Sequence, residues 1–359
     1  MNKKIAFICL GSGSQAISGT EIQLFCLAKQ LAKYHKQQIV FITAKNTTVP
    51  DEKTNIIHLS NIDLKKNIKN YILFPFMLYK SLLSANADIY ISSAAGIESG
   101  LISMFCIVYR KHYIFRTASS IDCTNEKISQ LGYFVGWFYK YCLKHADIIV
   151  TQSITDQTNL LKYHHRNSIV IKNGIHIPDN RSKIANKKYI LWVGSCRKVK
   201  QPEIFIDLAK KIENEIFLMI MPKSSDLNYW NSVYKKIITV KNLRYIERVD
   251  QNQIQKYFDL SKILIGTSKY EGFPNVYIQA CLASIPIVSL SVNPDGFISK
   301  YNLGLYSNGD INILKMQVEE LLNNHKMYKE MSDNAYDYLI SNHDIFMIGK
   351  QWKEIINNI

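Results

Sequence analysis

Glycine and proline are sparse in this chain, at 15 and 8 of 359 residues. That leaves no material for a long flexible linker or a collagen-like repeat. The seven cysteines include no C-x-x-C pair, which argues against a zinc ribbon and a disulfide scaffold. Several lie in apolar runs, where free cysteine packs as a small hydrophobe. No apolar stretch is long enough to span a bilayer. The basic start, Met1–Lys4, precedes only the short apolar run Ile5–Leu10. That run is short for a secretory leader and reads better as a first strand. A cytoplasmic protein is therefore expected. The motifs G-K-[ST], H-E-x-x-H and D-x-D are also missing, so neither a P-loop nor an obligate metal is expected.

Acidic residues are the scarcer charge, 29 against 44 basic, for a net charge of +15. Cutting at residue 180 gives +9 and +6, so the excess is no detachable tail. A basic surface suits anionic ligands, an anionic membrane face or nucleic acid, without choosing among them. Nucleic acid lacks further support, because no zinc finger, RNP-like strand or isolated basic helix accompanies the charge. It is not expected as a partner.

The hydrophobic residues, 47% of the chain, fall into a repeating order of apolar strand, short loop and amphipathic helix. Ile5–Leu10 and Glu21–Tyr34 form the first such unit. Strands are predicted at Ile39–Thr43, Asn55–Leu59, Asp88–Ser92, Tyr113–Arg116, Asp147–Thr151 and Ser168–Ile171. The spacing predicts helices over Tyr71–Leu83, Ile97–Val108 and Tyr133–Lys144. Pro75 must lie in the first turns of its helix or kink it. Asn173–Lys188 breaks the pattern with Gly174, Pro178, Asp179 and Asn180, and a domain boundary is drawn at 178/179. A second alternating series starts at Tyr189–Val193 and ends in helical segments near the C-terminus. Two α/β domains of similar size follow, at 1–178 and 179–340. Ligands of such sheets sit beyond the carboxyl ends of the parallel strands.

Three segments carry chemistry. The loop Gly11–Glu21 reads GSGSQAISGTE. Gly11 and Gly13 fit a dinucleotide fingerprint, but Ala16 takes the third glycine's place and Thr43 replaces the ribose-binding acid. Gly19-Thr20-Glu21 opens a helix whose first N–H groups can face an anion, or simply form a tight turn. In Ile190–Glu203, ILWVGSCRKVKQPE, a strand ends near Gly194 and places Arg197, Lys198 and Lys200 at the sheet's carboxyl edge. Arginine can clamp a phosphate with two bonds, and lysine adds a mobile point charge. In Leu264–Leu290, Glu271-Gly272-Phe273-Pro274 precedes a new helix. Pro274 suits a helix start, and Glu271 can grip sugar hydroxyls or merely cap the helix.

The order GTE…NGI…VGS…K…EGFPN resembles glycosyltransferase family 4, retaining sugar-nucleotide enzymes, and its bacterial polysaccharide-type members in particular. The likeness extends over nearly the whole chain and is strongest at Tyr189–Lys210 and Leu264–Leu290. It implies a GT-B fold: two Rossmann-like domains facing each other across a cleft, with 341–359 a C-terminal helix packing back on the first domain. It implies an acceptor-side first domain and a nucleotide-sugar-binding second domain. The family's E-x7-E pattern assigns Glu271 to the transferred sugar as the catalytic residue. Its second acid falls at Gln279, which keeps hydrogen bonding but loses charge-assisted strength. Ser195 stands where the family often has arginine, and Arg197 can substitute; Lys200 fits the second basic position. Gly19, Arg197, Lys200, Phe273, Pro274, Asn275, Val276 and Gln279 are thus the expected donor contacts. The family's first-domain histidine is missing from Arg116–Asp122, where Ser119, Ser120 and Asp122 are weaker acceptor-side candidates.

The resemblance further implies transfer of a hexosyl group from a UDP-, GDP- or ADP-sugar to a glycan or lipid-linked acceptor, in cell-surface polysaccharide synthesis. The transfer needs no obligate cofactor or metal. A GT-B nucleotide-sugar epimerase and a noncatalytic sugar-nucleotide binder or scaffold are the alternatives. The basic aromatic stretches Tyr109–Tyr113 and Phe134–Lys144 suit either helix packing or peripheral contact with the inner face of an anionic membrane.

Overall fold

The computed structural model describes residues 3–10, 18–44, 55–59, 68–93, 95–179 and 186–359. The chain divides into two compact units: unit 1 comprises Met1–Gly174 with Ile345–Ile359, and unit 2 is Ile175–Asp344.

In unit 1 the order is β1 (Lys4–Cys9), α1 (Gly19–His35), β2 (Gln38–Ala44), β3 (Asn55–Leu59), α2 (Ile68–Ala85), β4 (Ile89–Ser92), α3 (Ile97–Tyr109), β5 (His112–Arg116), α4 (Asn125–His145), β6 (Ile148–Thr151), α5 (Ile154–His164) and β7 (Ile169–Val170). In unit 2 it is β8 (Tyr189–Val193), α6 (Pro202–Lys211), β9 (Ile216–Ile220), α7 (Leu227–Ile237), β10 (Leu243–Ile246), α8 (Ile254–Asp259), β11 (Ser261–Gly266), α9 (Asn275–Leu282), β12 (Ile287–Ser289), α10 (Phe297–Lys300), β13 (Gly304–Tyr306), α11 (Ile311–Asn323) and α12 (His325–His343). The last helix, α13 (Ile345–Asn357), returns to unit 1.

Both sheets are parallel. The first runs β3-β2-β1-β4-β5-β6-β7 and the second β10-β9-β8-β11-β12-β13. Each reverses direction beside its first strand, between β1 and β4 and between β8 and β11. Loops leaving the carboxyl ends at such a switch point part to opposite sides and leave a crevice.

Period-two alternation divides each strand between two helix layers. In unit 1, Ala6 and Ile8 face α2, α3 and α4 through Leu78, Ile102 and Tyr139. Ile5 and Phe7 face α1 and α13 through Leu24, Leu31, Ile348 and Trp352. In unit 2, Ile190 and Trp192 meet α6, α7 and α11, whereas Leu191 meets α9, α10 and α12.

Some elements depart from the sequence expectation. Helix α2 starts at Ile68, so Pro75 sits in its interior instead of its first turns. Helix α4 starts at Asn125, well before Tyr133, and is broken at Gly132 (φ 73°, ψ 175°). The helical spacing from Tyr133 onward marks only its second segment. Helix α5 and strands β10 and β13 were not anticipated. The two strands are only four and three residues long, too short to establish a period.

Candidate active site

The site is built around the switch point of unit 2. Strand β8 ends at Val193, and the Gly194 N–H donates to the Ile220 carbonyl at 3.1 Å. A Cβ at Gly194 would come within 2.8 Å of the Trp192 ring, so glycine is needed at this exit. The chain then makes a short 3-10 turn at Lys198–Lys200, and Gln201 takes a left-handed conformation (φ 48°, ψ 53°) ahead of Pro202. Proline's fixed φ and missing N–H suit the first position of α6.

This turn is tied to the loop after β11 at three points. The buried Trp192 indole N–H donates to Thr267 Oγ1 at 2.8 Å. The Thr267 hydroxyl donates to the Lys200 carbonyl at 2.6 Å. The Lys269 N–H donates to the Val199 carbonyl at 2.9 Å. Thr267 therefore both accepts and donates, which valine, its near isostere, cannot do.

The result places Lys200 Nζ against Glu271 Oε1 as an ion pair. Their side chains are 19% and 21% exposed, shielded but still reachable. The segment after Glu271 is anchored by Phe273, whose buried ring lies 4.9 Å from Phe297 and 4.8 Å from His343. Helix α9 then begins with Pro274 as its N-cap. Tyr277 is buried beneath it and shares a hydrogen bond with Ser289 Oγ at 2.7 Å. Burial raises the Tyr277 hydroxyl above its ordinary pKa, and the charge of nearby Glu271 adds to this. Gly266 makes the arrangement fit, because a Cβ there would overlap the Tyr277 ring and hydroxyl. Asn275, Val276 and Gln279 are partly buried, Val276 packing against the core, while Ile278, Ala280 and Cys281 are buried.

The donor candidates thus separate by role. Lys200 and Glu271 meet directly, Asn275 and Gln279 are partly exposed on the helix that follows, and Val276 packs against the core. Phe273 is a packing anchor whose ring is committed to the core. Arg197 is exposed, with its Nε–H donating to Ser195 Oγ at 2.8 Å, and stands outside the Lys200–Glu271 contact.

In unit 1, Gly11, Gly13 and Ala16 lie outside the described residues. Gly19 is the first residue of α1. Its neighbours form a capping box: the Glu21 N–H donates to Ser18 Oγ at 3.2 Å, and the Ser18 N–H donates to Glu21 Oε2 at 2.8 Å. Two donors that could have faced an anion are thereby satisfied within the helix start. Asp122 is likewise committed inward. Its Oδ2 accepts from the Ala118 and Ser119 N–H groups, both at 2.9 Å, and its Oδ1 lies 3.2 Å from Lys127 Nζ. It fixes the turn that carries Ser119 and Ser120.

Two further charged groups in unit 1 were missed by sequence reasoning. Arg116, at the end of β5, is only 4% exposed, and its guanidinium donates to Asn173. Burial pulls its pKa down to about 10. Glu98 stands in the first turn of α3, just beyond the switch point of the first sheet. Burial raises its carboxyl above the ordinary value, partly offset by its own backbone N–H and by Lys127. A Cβ at Gly96 would lie 2.5 Å from this carboxylate, so the preceding glycine makes room for it. The signal was legible as a glycine turn followed by an acid at a strand's carboxyl end, but an acid there also reads as ordinary helix-dipole compensation. Among the described residues, no group of three or more His, Cys, Asp and Glu is placed to hold a metal ion.

The family model described as glycosyl transferases group 1 matches residues 176–338, which span this candidate site. Unit 2 is a glycosyltransferase domain of that group. The fold class is GT-B, with a Rossmann-like parallel sheet in each unit. An uncharacterized glycosyltransferase of Methanocaldococcus jannaschii is 27% identical over 213 residues, covering 56% of this chain and 57% of that one. An uncharacterized glycosyltransferase of Haemophilus influenzae is 25% identical, covering 99% of this chain and 100% of the other. Among solved structures, Anabaena HepE in complex with UDP-glucose superposes with a TM-score of 0.77 at 14% identity, covering 100% of both chains. The Lys200–Glu271 pair and α9 lie inside the glycosyltransferase domain.

Proposed function

We propose that this protein is a retaining glycosyltransferase that moves a hexosyl group from a nucleoside-diphosphate sugar to a hydroxyl of a glycan or lipid-linked acceptor. The observation that carries the reading is the Lys200–Glu271 pair at the switch point of a glycosyl transferases group 1 domain. A cation and a carboxylate held side by side offer one group for a diphosphate and one for sugar hydroxyls. The HepE complex with UDP-glucose favours a uridine donor within the broader set of UDP-, GDP- and ADP-sugars.

In the proposed reaction, the bond between the anomeric carbon and the diphosphate oxygen breaks. A new bond forms on the same face to the acceptor oxygen. The acceptor proton passes to the departing phosphate oxygen, so no second carboxylate is needed as base. Lys200 stabilises the charge growing on the diphosphate, and Arg197 joins it by leaving Ser195. Glu271 leaves Lys200 to orient the sugar. Backbone groups from Phe273 to Val276 complete the donor contacts, and Gln279 holds the ribose. Ser119 and Ser120 contact the acceptor from the turn that Asp122 fixes, with Glu98 as a further acceptor-side carboxyl. The product is assigned to cell-surface polysaccharide synthesis, with the enzyme at a membrane's cytoplasmic face.

Calorimetry with UDP, GDP, ADP and their hexose conjugates tests this. Selective micromolar binding, weakened in Lys200→Ala, is expected. Flat titrations with folded protein would overturn a preformed donor site. Donor consumed without an acceptor, with release of an epimer, would turn the assignment to an epimerase.

A further inference from the structure

The outer surface of α2, α3 and α4 in unit 1 is unusually apolar. Tyr133 is 95% exposed, Val108 73%, Phe76 67% and Phe134 66%, with Leu73 and Trp137 about half exposed. These helices are direct neighbours. Gly100 of α3 lets α4 approach so closely that a Cβ would lie 2.5 Å from the Phe138 carbonyl oxygen. Tyr79 of α2 and Tyr109 of α3 bond through their hydroxyls. The apolar groups therefore form a shared face instead of scattered single residues, which would need no explanation.

Helix α4 shows how the face is made. Gly136, Tyr139, Cys142 and Leu143 point into the core, while Tyr133, Trp137, Lys140 and Lys144 follow helical spacing on the opposite side. Along this side the Trp137 ring packs against Tyr141, with ring centroids 5.6 Å apart and planes tilted by 32°. The break at Gly132 immediately precedes Tyr133, and no described atom lies within 4 Å of a Cβ built there. The aromatic pair Tyr133–Phe134 thus projects from the beginning of a new helical segment.

The charge on this face has one sign. Lys80, Arg110, Lys140 and Lys144 are exposed around the apolar groups. Helix α2 contains no acidic residue, and those of α3 and α4 are confined to their first turns, at Glu98 and Glu126. From Leu131 to His145 the sequence has no acid at all. Aromatic and aliphatic tips with basic neighbours match the layered chemistry of a lipid surface: acyl chains and glycerol within, anionic phosphate around. A symmetric contact with a second copy would bring this basic face against itself.

We propose that the α2–α4 face of unit 1 is a membrane-docking surface for anionic phospholipid bilayers. Tyr133, Phe134 and Trp137 enter the interface, and Lys140 and Lys144 sit among the headgroups. The attachment is peripheral, since no described helix is long and apolar enough to cross a membrane. The inference deepens the lipid-linked acceptor reading but rests on this surface, so it can fail without affecting the donor site.

Co-sedimentation of the full chain with phosphatidylglycerol–phosphatidylcholine vesicles, against phosphatidylcholine alone, tests the surface. Binding to the anionic vesicles at low salt is expected, falling as salt rises. The Tyr133→Ser/Trp137→Ser variant and the Lys140→Glu/Lys144→Glu variant should each reduce partitioning at least about tenfold, with unchanged thermal melts. Protein left in the supernatant at low salt would overturn the proposal. So would equal binding to neutral vesicles, or binding unaffected by either variant. A concentration-dependent dimer lost in Trp137→Ser would assign the face to a second copy. Nucleotide titrations on the same samples read the donor site separately.

Discussion

Lys200 and Glu271 are 71 residues apart in sequence and meet only because two adjacent strands deliver their loops to one edge. Glu271→Gln removes the charge while keeping the shape. It should lower turnover by about a hundredfold or more, while free nucleotide binding changes far less. Lys200→Ala should weaken nucleotide binding roughly tenfold or more, the scale of a lost charge-assisted hydrogen bond, and lower turnover as well. Initial rates and calorimetry on the two variants distinguish these outcomes. Equal losses of thermal stability without that kinetic split would make the pair structural. Gln279→Glu tests the missing ribose carboxylate; tighter nucleotide binding is expected, and unchanged affinity would remove the position from the donor contacts. Glu98 gives a pH prediction. Its carboxyl is raised above its unfolded value, so its ionised form opposes folding. That burden is absent below the unfolded pKa and develops as pH rises through the folded one. Glu98→Gln should therefore stabilise the protein at neutral pH, with the gain disappearing in acid. Thermal melts across pH check the sign.

At the scale of elements, the loops of the candidate site are positioned mainly by uncharged groups. The Trp192–Thr267–Lys200 chain crosses between β8 and β11 and leaves a buried indole N–H dependent on one hydroxyl. Thr267→Val should cost about 1–3 kcal/mol by orphaning that donor, whereas Thr267→Ser should retain most of the stability. Denaturant unfolding compares them. Much of this level was readable in sequence. The apolar run Tyr189–Val193 is β8, and Pro202 marks the start of α6 as its fixed φ requires. The first segment of α4, Asn125–Leu131, escaped because it is too short and polar to show a helical period, whereas the start at Tyr133 was legible just after Gly132, whose positive φ separates the two segments. The inward commitment of Asp122 escaped too, since an acid in a serine-rich loop looks the same whether it faces a ligand or its own backbone.

For the whole molecule, the last helix couples the far end of the sequence to the first unit. Trp352 is buried with Ile348 and Ile356 against the layer that holds Phe7 and Leu31. Trp352→Ala should cost about 3–5 kcal/mol. Hydrogen exchange should rise first in β1 and α1, while β8 and β11 keep their protection. Equal loosening of both units would mean that they unfold as one. The alternation of strands and helices, the two α/β repeats and the motifs of the candidate site are legible in the chain alone, because burial periodicity and glycine–proline punctuation are local properties. Which residues meet is a property of the folded chain, and the fold set it. It paired Lys200 with Glu271, turned Asp122 and Glu21 inward and gathered the exposed aromatics of three helices onto one face. Those outcomes depend on strand order and helix crossing, and contacts between distant segments leave no local pattern in the chain.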